Sequence, residues 1–211
     1  MTIIVHHLEE SRSQRILWLL EELGVAYEVR RYERNPQTRL APPELKAIHP
    51  LGKSPVVEKD GKILAESGAI TEYFAETEGG GKLAVPAGDP LRAEYLYWLH
   101  FAEGSAMLPL LLKLYAGLLG DAAAPLMQMR IEPEIENHLS FVNAKLEGRD
   151  YLVGDRFTAA DIEMSFVLDA GRGRGGLDRY PNLLRVRTQN QARPAYQRAL
   201  ERGGPYKLGA A

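Results

Sequence analysis

HHLEESRSQRILWLLEELG, residues 6–24, is the stretch whose reading decides the fold. An apolar run, Ile3-Ile4-Val5, leads into it as a strand. Apolar residues then recur at Ile16, Leu17, Leu20 and Leu23, the spacing of an amphipathic helix that stops at Gly24. Ser11 reads as its N-cap, with Gln14 three residues on at capping-box spacing. The charges run against the helix. A helix start is electropositive and its end electronegative, so Arg12, Arg15, Glu21 and Glu22 all stand at the end that disfavours them. Glu9 and Glu10, outside the helix, partly offset the arginines. The start of this helix is arranged to receive an anion.

Working outward, residues 26–32 (AYEVRRY) alternate as a strand, so the chain opens strand, helix, strand. Residues 42–50 (PPELKAIHP) make a short helix between prolines. Residues 54–67 form a hairpin around Asp60-Gly61, and residues 67–76 a helix with Ser67 as cap. ETEGGGKLAVPAGDP, residues 76–90, is the domain boundary. Beyond it the pattern is helical: residues 91–118 with a kink at Pro109, residues 125–147 with Pro133 inside, a helix opened by Thr158 and Asp161, and one or two more over 181–201. GRGRGG, residues 171–176, reads as a loop. The expected division is a domain over 1–78, a linker over 79–90 and an all-helical domain over 91–211.

The 211 residues include no cysteine, which excludes disulfides, thiolate metal sites and a cysteine nucleophile. Any thiol chemistry must use a thiol brought in by a ligand, and no metal site is expected. The formal charge of -2 gives no reason to expect a nucleic-acid partner. No apolar run approaches the ~20 residues of a membrane span, so no membrane partner is expected. The N-terminus MTIIVHH lacks the features of a signal peptide, so the default expectation is a cytoplasmic protein.

The order β-α-β, α, β-β-α is that of a thioredoxin-like domain, in which the start of the first helix is the chemical end. The chain resembles the cytosolic glutathione transferases over nearly its whole length. The resemblance rests on HHLEESRSQRILWLLEELGVAYEV, HPLGKSPVV, LAESGAITEYF, YLVGDRFTAADI and YPNLLRVRTQNQARPAYQRAL, in that order. The spelling H-x-L-x-x-S-R-S-Q-R-I-L-W-L-L is similar to the fungal and bacterial Gtt- and Ure2-related branch. The fold it implies is an α/β thioredoxin-like domain followed by a C-terminal helical bundle.

The resemblance implies a site residue by residue. Ser11 matches the serine whose hydroxyl holds the glutathione sulfur as thiolate, with Ser13 as the alternative. Its plainer role is helix capping. Arg12 adds positive potential or is a solvated charge, and Arg15 is structural. Pro55 matches the family's cis-proline, which turns the backbone of Ser54 toward the cysteinyl backbone of glutathione. Lys53 lies near a carboxylate of the tripeptide. Glu66 accepts from the γ-glutamyl ammonium, and Ser67 binds the adjoining carboxylate. Leu8, Met107, Leu111 and Tyr115 are candidates for an apolar electrophile pocket, expected between the two domains. His6 and His7 stand where another branch carries a tyrosine. One reading makes a histidine the acceptor of the thiol proton; the plainer reading makes both strand-end residues.

The implied activity is conjugation of reduced glutathione, as co-substrate, to a small apolar electrophile, with reduction of organic hydroperoxides as a side activity. A glutathione-dependent isomerase or dehalogenase and a non-catalytic glutathione-binding regulatory protein are the alternatives. A homodimer is expected by resemblance alone.

Overall fold

β1 (Ile3–Leu8) is buried along its whole length, as suits a central strand covered on both faces. It pairs in parallel with β2 (Glu28–Tyr32) and antiparallel with β3 (Val56–Lys59); β3 pairs antiparallel with β4 (Lys62–Ala65). The strand order is β2-β1-β3-β4. A parallel pair needs a crossover, and α1 (Ser13–Leu23) supplies it. α2 (Glu44–Ile48) follows β2, and α3 (Ser67–Thr77) follows β4. The expected thioredoxin-like order is present. The hairpin turns where the sequence places it, with Asp60 at φ 49° and Gly61 at φ 77°, the positive pair a tight two-residue hairpin requires. Gly24 ends α1 at φ 71°.

The computed structural model describes residues 2–120 and 125–208; residue 1 and residues 209–211, the outer ends of the expected domains, lie outside the described residues. Contacts divide the chain into two units. The first runs to Pro86 and resumes at Gln191; the second is Ala87–Asn190.

The second unit is helical. α4 (Arg92–Phe101) continues through a π-helical segment, Ala102–Ala106, into α5 (Met107–Leu119). The irregularity expected at Pro109 thus falls in the turn before it. Proline has no N–H to give residue 105, and its ring crowds that residue's carbonyl, so the widened turn lies just upstream. By length and composition alone, Arg92–Leu119 could cross a membrane, against the expectation that no stretch approaches that length. Its Tyr95, Trp98, Leu99 and Ala102 are buried, and its Glu94 pairs with Lys145 and Arg149, as in a core helix with a charged outer edge.

α6 (Pro125–Lys145) runs through Pro133, with Ile131, Ile135, Leu139 and Val142 on its buried stripe. α7 (Ala159–Arg174) is buried from Ala159 to Gly171 and forms the centre of this unit. Thr158 caps α7 in the expected capping box: Asp161 Oδ2 accepts from the Thr158 backbone N–H at 2.8 Å, and the Thr158 side chain takes the N–H of Asp161. Asp161 Oδ1 also accepts from the N–H of Leu152 at 2.9 Å. On α8 (Pro181–Gln191), Arg187 bonds Asp169 at 2.9 Å inside the unit.

The loop expected at 171–176 is a correction, because α7 continues to Arg174 and Gly175 caps it. The glycines are there for contact. A Cβ on Gly175 would stand 2.8 Å from Leu139 Cδ1 and 3.2 Å from Leu110 Cδ2, and one on Gly171 would stand 3.2 Å from Leu177 Cδ1. Close helix packing, and not turning, is what requires glycine here.

α9 (Pro194–Gly203) groups with the first unit, whereas the sequence-based division put all of 91–211 in the second. It lies along α1, with Trp18 and Tyr196 edge-to-face at 5.2 Å between ring centres. Five consecutive residues of α1, Ile16 to Leu20, are fully buried, as expected of a helix enclosed by the sheet, α3 and α9.

The capping box yields a stability test. Thr158→Ala should cost about 0.5–2 kcal/mol in denaturant unfolding. Asp161→Ala should cost more, because two buried backbone donors, those of Leu152 and Thr158, lose their acceptor. A loss of activity with unchanged stability in either variant would contradict this structural role.

Candidate active site at the start of the first helix

The chain from β1 into α1 turns sharply, with Glu10 at φ 50°. Three groups close the turn. Ser11 Oγ donates to the Leu8 carbonyl at 2.7 Å and accepts from the Ser13 N–H at 3.2 Å. Ser11 Oγ and Ser13 Oγ lie 2.8 Å apart. Ser13 Oγ lies 2.8 Å from His7 Nδ1 and 3.3 Å from the Leu8 carbonyl. Leu8, expected to act through its side chain, organises both hydroxyls through its backbone. Ser11, Ser13 and His7 are all buried.

The cap of α1 is a correction. Arg12, not Ser11, is the N-cap, and Ser11 holds the N–H of Ser13. Gln14 does not reach back as a capping box would; its side chain is buried, with neither amide atom hydrogen-bonded. The Ser11 oxygen accepts the Ser13 N–H with a lone pair, and its one proton goes separately to the Leu8 carbonyl.

The histidines separate as strand neighbours should. His6 Nδ1 lies 2.8 Å from the Tyr32 hydroxyl, away from the serines. His7 turns to Ser13 and, on its other side, to the Gly203 backbone of α9. Burial first, then the charge of Arg31, lowers the His7 pKa to about 4, so its imidazole is neutral at pH 7. Burial, then Arg30, lowers that of His6 as well.

The Ser54–Pro55 peptide is cis. Ser54 Oγ donates to the His6 carbonyl at 2.9 Å and accepts from the Leu8 N–H at 3.2 Å, which ties this loop to the end of β1. Lys53 is exposed. Ser67 is a second correction: the N-cap of α3 is Glu66, at φ 71°, and Ser67 is the first helical residue. The positive φ at a non-glycine residue is a local backbone strain, and the Glu66 side chain is exposed at the helix start. Ser67 is buried and accepts from Arg15 Nη1 at 3.3 Å. Arg15 itself is 1% exposed, so the residue read as structural is a buried guanidinium beside a proposed ligand-binding serine. The signal in the sequence was a cation at the electropositive start of the helix.

The far end of α1 explains the misplaced acids. Arg193 grips Glu22 in a two-point pair at 2.6 and 3.0 Å, and Trp18 Nε1 donates to the same carboxylate. Glu21 receives Arg198 at 2.7 Å and Arg202 at 3.3 Å, and the guanidinium of Arg202 stacks 3.7 Å over the Tyr27 ring. At the near end, the carboxylate of Glu10 accepts the backbone N–H groups of Lys207 and Leu208, at 2.6 and 2.8 Å.

In the second unit, Met107 is buried, Leu111 half-buried and Tyr115 53% exposed. A cavity of about 840 Å³ lies between α5 and α6, lined by Leu108, Leu112, Met127, Arg130, Ile131 and His138 among others. Met107, Leu111 and Tyr115 are not among its lining residues. Among the described residues no group of three or more His, Asp or Glu side chains is placed to hold a metal ion.

A thioredoxin-like unit with two buried hydroxyls at the start of its first helix is thus followed in the chain by a helical unit. Residues 2–76 match the model "Glutathione S-transferase, N-terminal domain", and residues 122–194 match "Glutathione S-transferase, C-terminal domain". The chain is 33% identical to glutathione S-transferase 3 of Schizosaccharomyces pombe over 95% of this chain and 87% of that protein. It is 34% identical to glutathione S-transferase 1 of Saccharomyces cerevisiae over 79% of each. A crystal structure of a glutathione S-transferase from Actinobacillus pleuropneumoniae superposes with a TM-score of 0.89 at 34% identity, over 98% of this chain and 95% of that one. The chain belongs to the glutathione S-transferase family.

The buried neutral His7 makes a pH prediction. Its folded pKa of about 4 lies below the unfolded value of about 6.5. Between the two, the unfolded chain binds a proton that the folded chain does not. The stability His7 contributes is therefore full above pH 6.5 and lost as pH falls toward 4. In paired unfolding measurements, the stability difference between wild type and His7→Asn should shift against wild type by up to about 3 kcal/mol between pH 7 and pH 4. A difference that stays flat with pH would contradict a buried, neutral His7.

Proposed function

We propose that this protein conjugates the thiolate of reduced glutathione to small apolar electrophiles, with the Ser11 hydroxyl as hydrogen-bond donor to the sulfur. The observation that carries this reading is the arrangement at the start of α1. There a serine hydroxyl, whose proton rests on a neutral carbonyl, stands at the electropositive helix end in a chain that has no thiol of its own. Its present acceptor is the neutral carbonyl of Leu8. A thiolate is a charged acceptor and makes roughly twice as strong a bond, so the proton turns to sulfur when the ligand binds. The hydroxyl is far less acidic than the thiol and acts as a stabiliser of the anion, not as a base.

Ser54, tied to β1, offers its backbone to the cysteinyl part of the tripeptide. Glu66 and Ser67 receive the γ-glutamyl end, the first as acceptor for its ammonium and the second, held by Arg15, with the first N–H groups of α3 for its carboxylate. Lys53 and Arg12 add positive potential. The thiolate attacks an electrophilic carbon: the C–S bond forms as the bond to the leaving group breaks, and a halide departs with the electron pair. Organic hydroperoxides take the same nucleophile at oxygen, and a second glutathione completes the reduction to alcohol, water and glutathione disulfide.

Ser11→Ala should raise the pKa of the bound thiol by about 1–2 units, the equivalent of a hydrogen bond to a charged group, and lower turnover of a test aryl halide. A pH–rate profile identical to wild type would overturn the role of Ser11. Absence of binding to reduced glutathione by calorimetry at millimolar concentration would overturn the whole reading.

A further inference from the structure

The two serines at the start of α1 are not equivalent, and the difference is set from outside the helix. His7 has two ring nitrogens with two different neighbours. The Gly203 backbone lies against Nε2, where a Cβ on Gly203 would stand only 3.2 Å away, and it acts to raise the His7 pKa, as a carbonyl facing the ring does. A carbonyl on that side favours the tautomer with its proton on Nε2. In a neutral ring Nδ1 is then a bare lone pair. Ser13 Oγ, 2.8 Å from Nδ1, must be the donor in that bond. The single proton of Ser13 is thus committed, and its oxygen can only accept from Ser11, 2.8 Å away. The Ser11 proton rests instead on the Leu8 carbonyl at 2.7 Å, a weaker acceptor than an imidazole lone pair, and of the two it is the one that turns.

We propose that His7 is the positioning residue of the thiolate site: held by the Gly203 carbonyl of α9, it locks the Ser13 hydroxyl in one orientation and so leaves Ser11 as the sole hydroxyl able to donate to sulfur. This rests on the reading of Ser11 given above and adds the device that selects it. The chain of bonds runs Gly203, His7, Ser13, Ser11, all within the first unit. Its outer anchor is α9, which the pairs from Arg193, Arg198 and Arg202 to Glu22 and Glu21 hold against α1. Gly203 also lies where a Cβ would meet Gln14 Oε1 and Leu17 Cδ1 at 2.9 Å, so glycine is what lets the end of α9 come this close. The charges that bear on His7 are Arg31 from β2 and Glu9 from the turn after β1.

Without His7 the Ser13 proton is released to the Leu8 carbonyl, 3.3 Å away, or to Ser11 Oγ, and the orientation of Ser11 is no longer unique. His7→Leu should therefore raise the bound-thiol pKa and lower kcat/KM for an aryl halide several-fold. His7→Asn, whose Oδ1 takes the place of Nδ1, should restore most of both. Ser13→Ala should shift the thiol pKa, and the double variant His7→Leu, Ser13→Ala should be no worse than the worse single one, because both remove the same bond. Additive effects of the pair, or no shift in either, would overturn the proposal if Ser11→Ala still shifts the pKa. No shift in Ser11→Ala would overturn the thiolate role of Ser11 itself. A measurement on the wild-type protein covers variants that fail to fold. The ¹⁵N shifts of His7 should report an unprotonated Nδ1 and a protonated Nε2 at pH 7, and the opposite tautomer would overturn the proposal.

Discussion

The first unit depends on the clasp between α1 and α9. α1 carries two acids at its electronegative end, an arrangement unfavourable for the helix in isolation. Arg193, Arg198 and Arg202 reverse that sign. Glu22 is held by a part-buried two-point pair that also takes the Trp18 indole, and such bidentate, shielded pairs are worth more than the exposed ion pairs of a surface. The acids are the socket into which the last helix fits. A helix that is buried nearly all round needs a cover on its outer side, and the clasp fixes the register of the segment that supplies it.

That register reaches the other end of α1. Fixing α9 fixes Gly203, and the same chain continues to Lys207 and Leu208, whose N–H groups close on Glu10 in the turn before the serines. The start of α1 is thus held from β1 through Leu8, from the Pro55 loop through Ser54, from α3 through the Arg15–Ser67 bond, and from Lys207 and Leu208 through Glu10. A site that must keep a hydroxyl and a set of N–H groups in fixed orientation gains from such cross-bracing, since a preorganised dipole needs no rearrangement as charge develops.

Much of this was legible because it is local. The Asp60-Gly61 turn, the stop at Gly24, the Thr158–Asp161 box and the stripe on α6 follow from neighbours within a few residues, where propensity and pattern suffice. What the pattern missed depends on contacts distant in sequence. The partners of Glu21 and Glu22 lie more than 170 residues away. The helix through GRGR exists because Leu139 and Leu110 press on glycines that look like loop formers in isolation. Ser67 and Ser11 have the residue type of caps, yet in both cases the helix begins one residue away from that expectation, and the hydroxyl serves another bond. His7 looked like a strand end, and only the return of α9 shows what its second nitrogen faces.

The most direct measurement is a crystal structure of the protein with reduced glutathione bound. The expected result is Ser11 Oγ as the nearest donor to the sulfur, with Ser13 still bonded to His7 Nδ1 and the γ-glutamyl group at Glu66 and Ser67. A sulfur held by Ser13 or by another group, with Ser11 still turned to the Leu8 carbonyl, would contradict the reading of this helix start as a thiolate site built on Ser11.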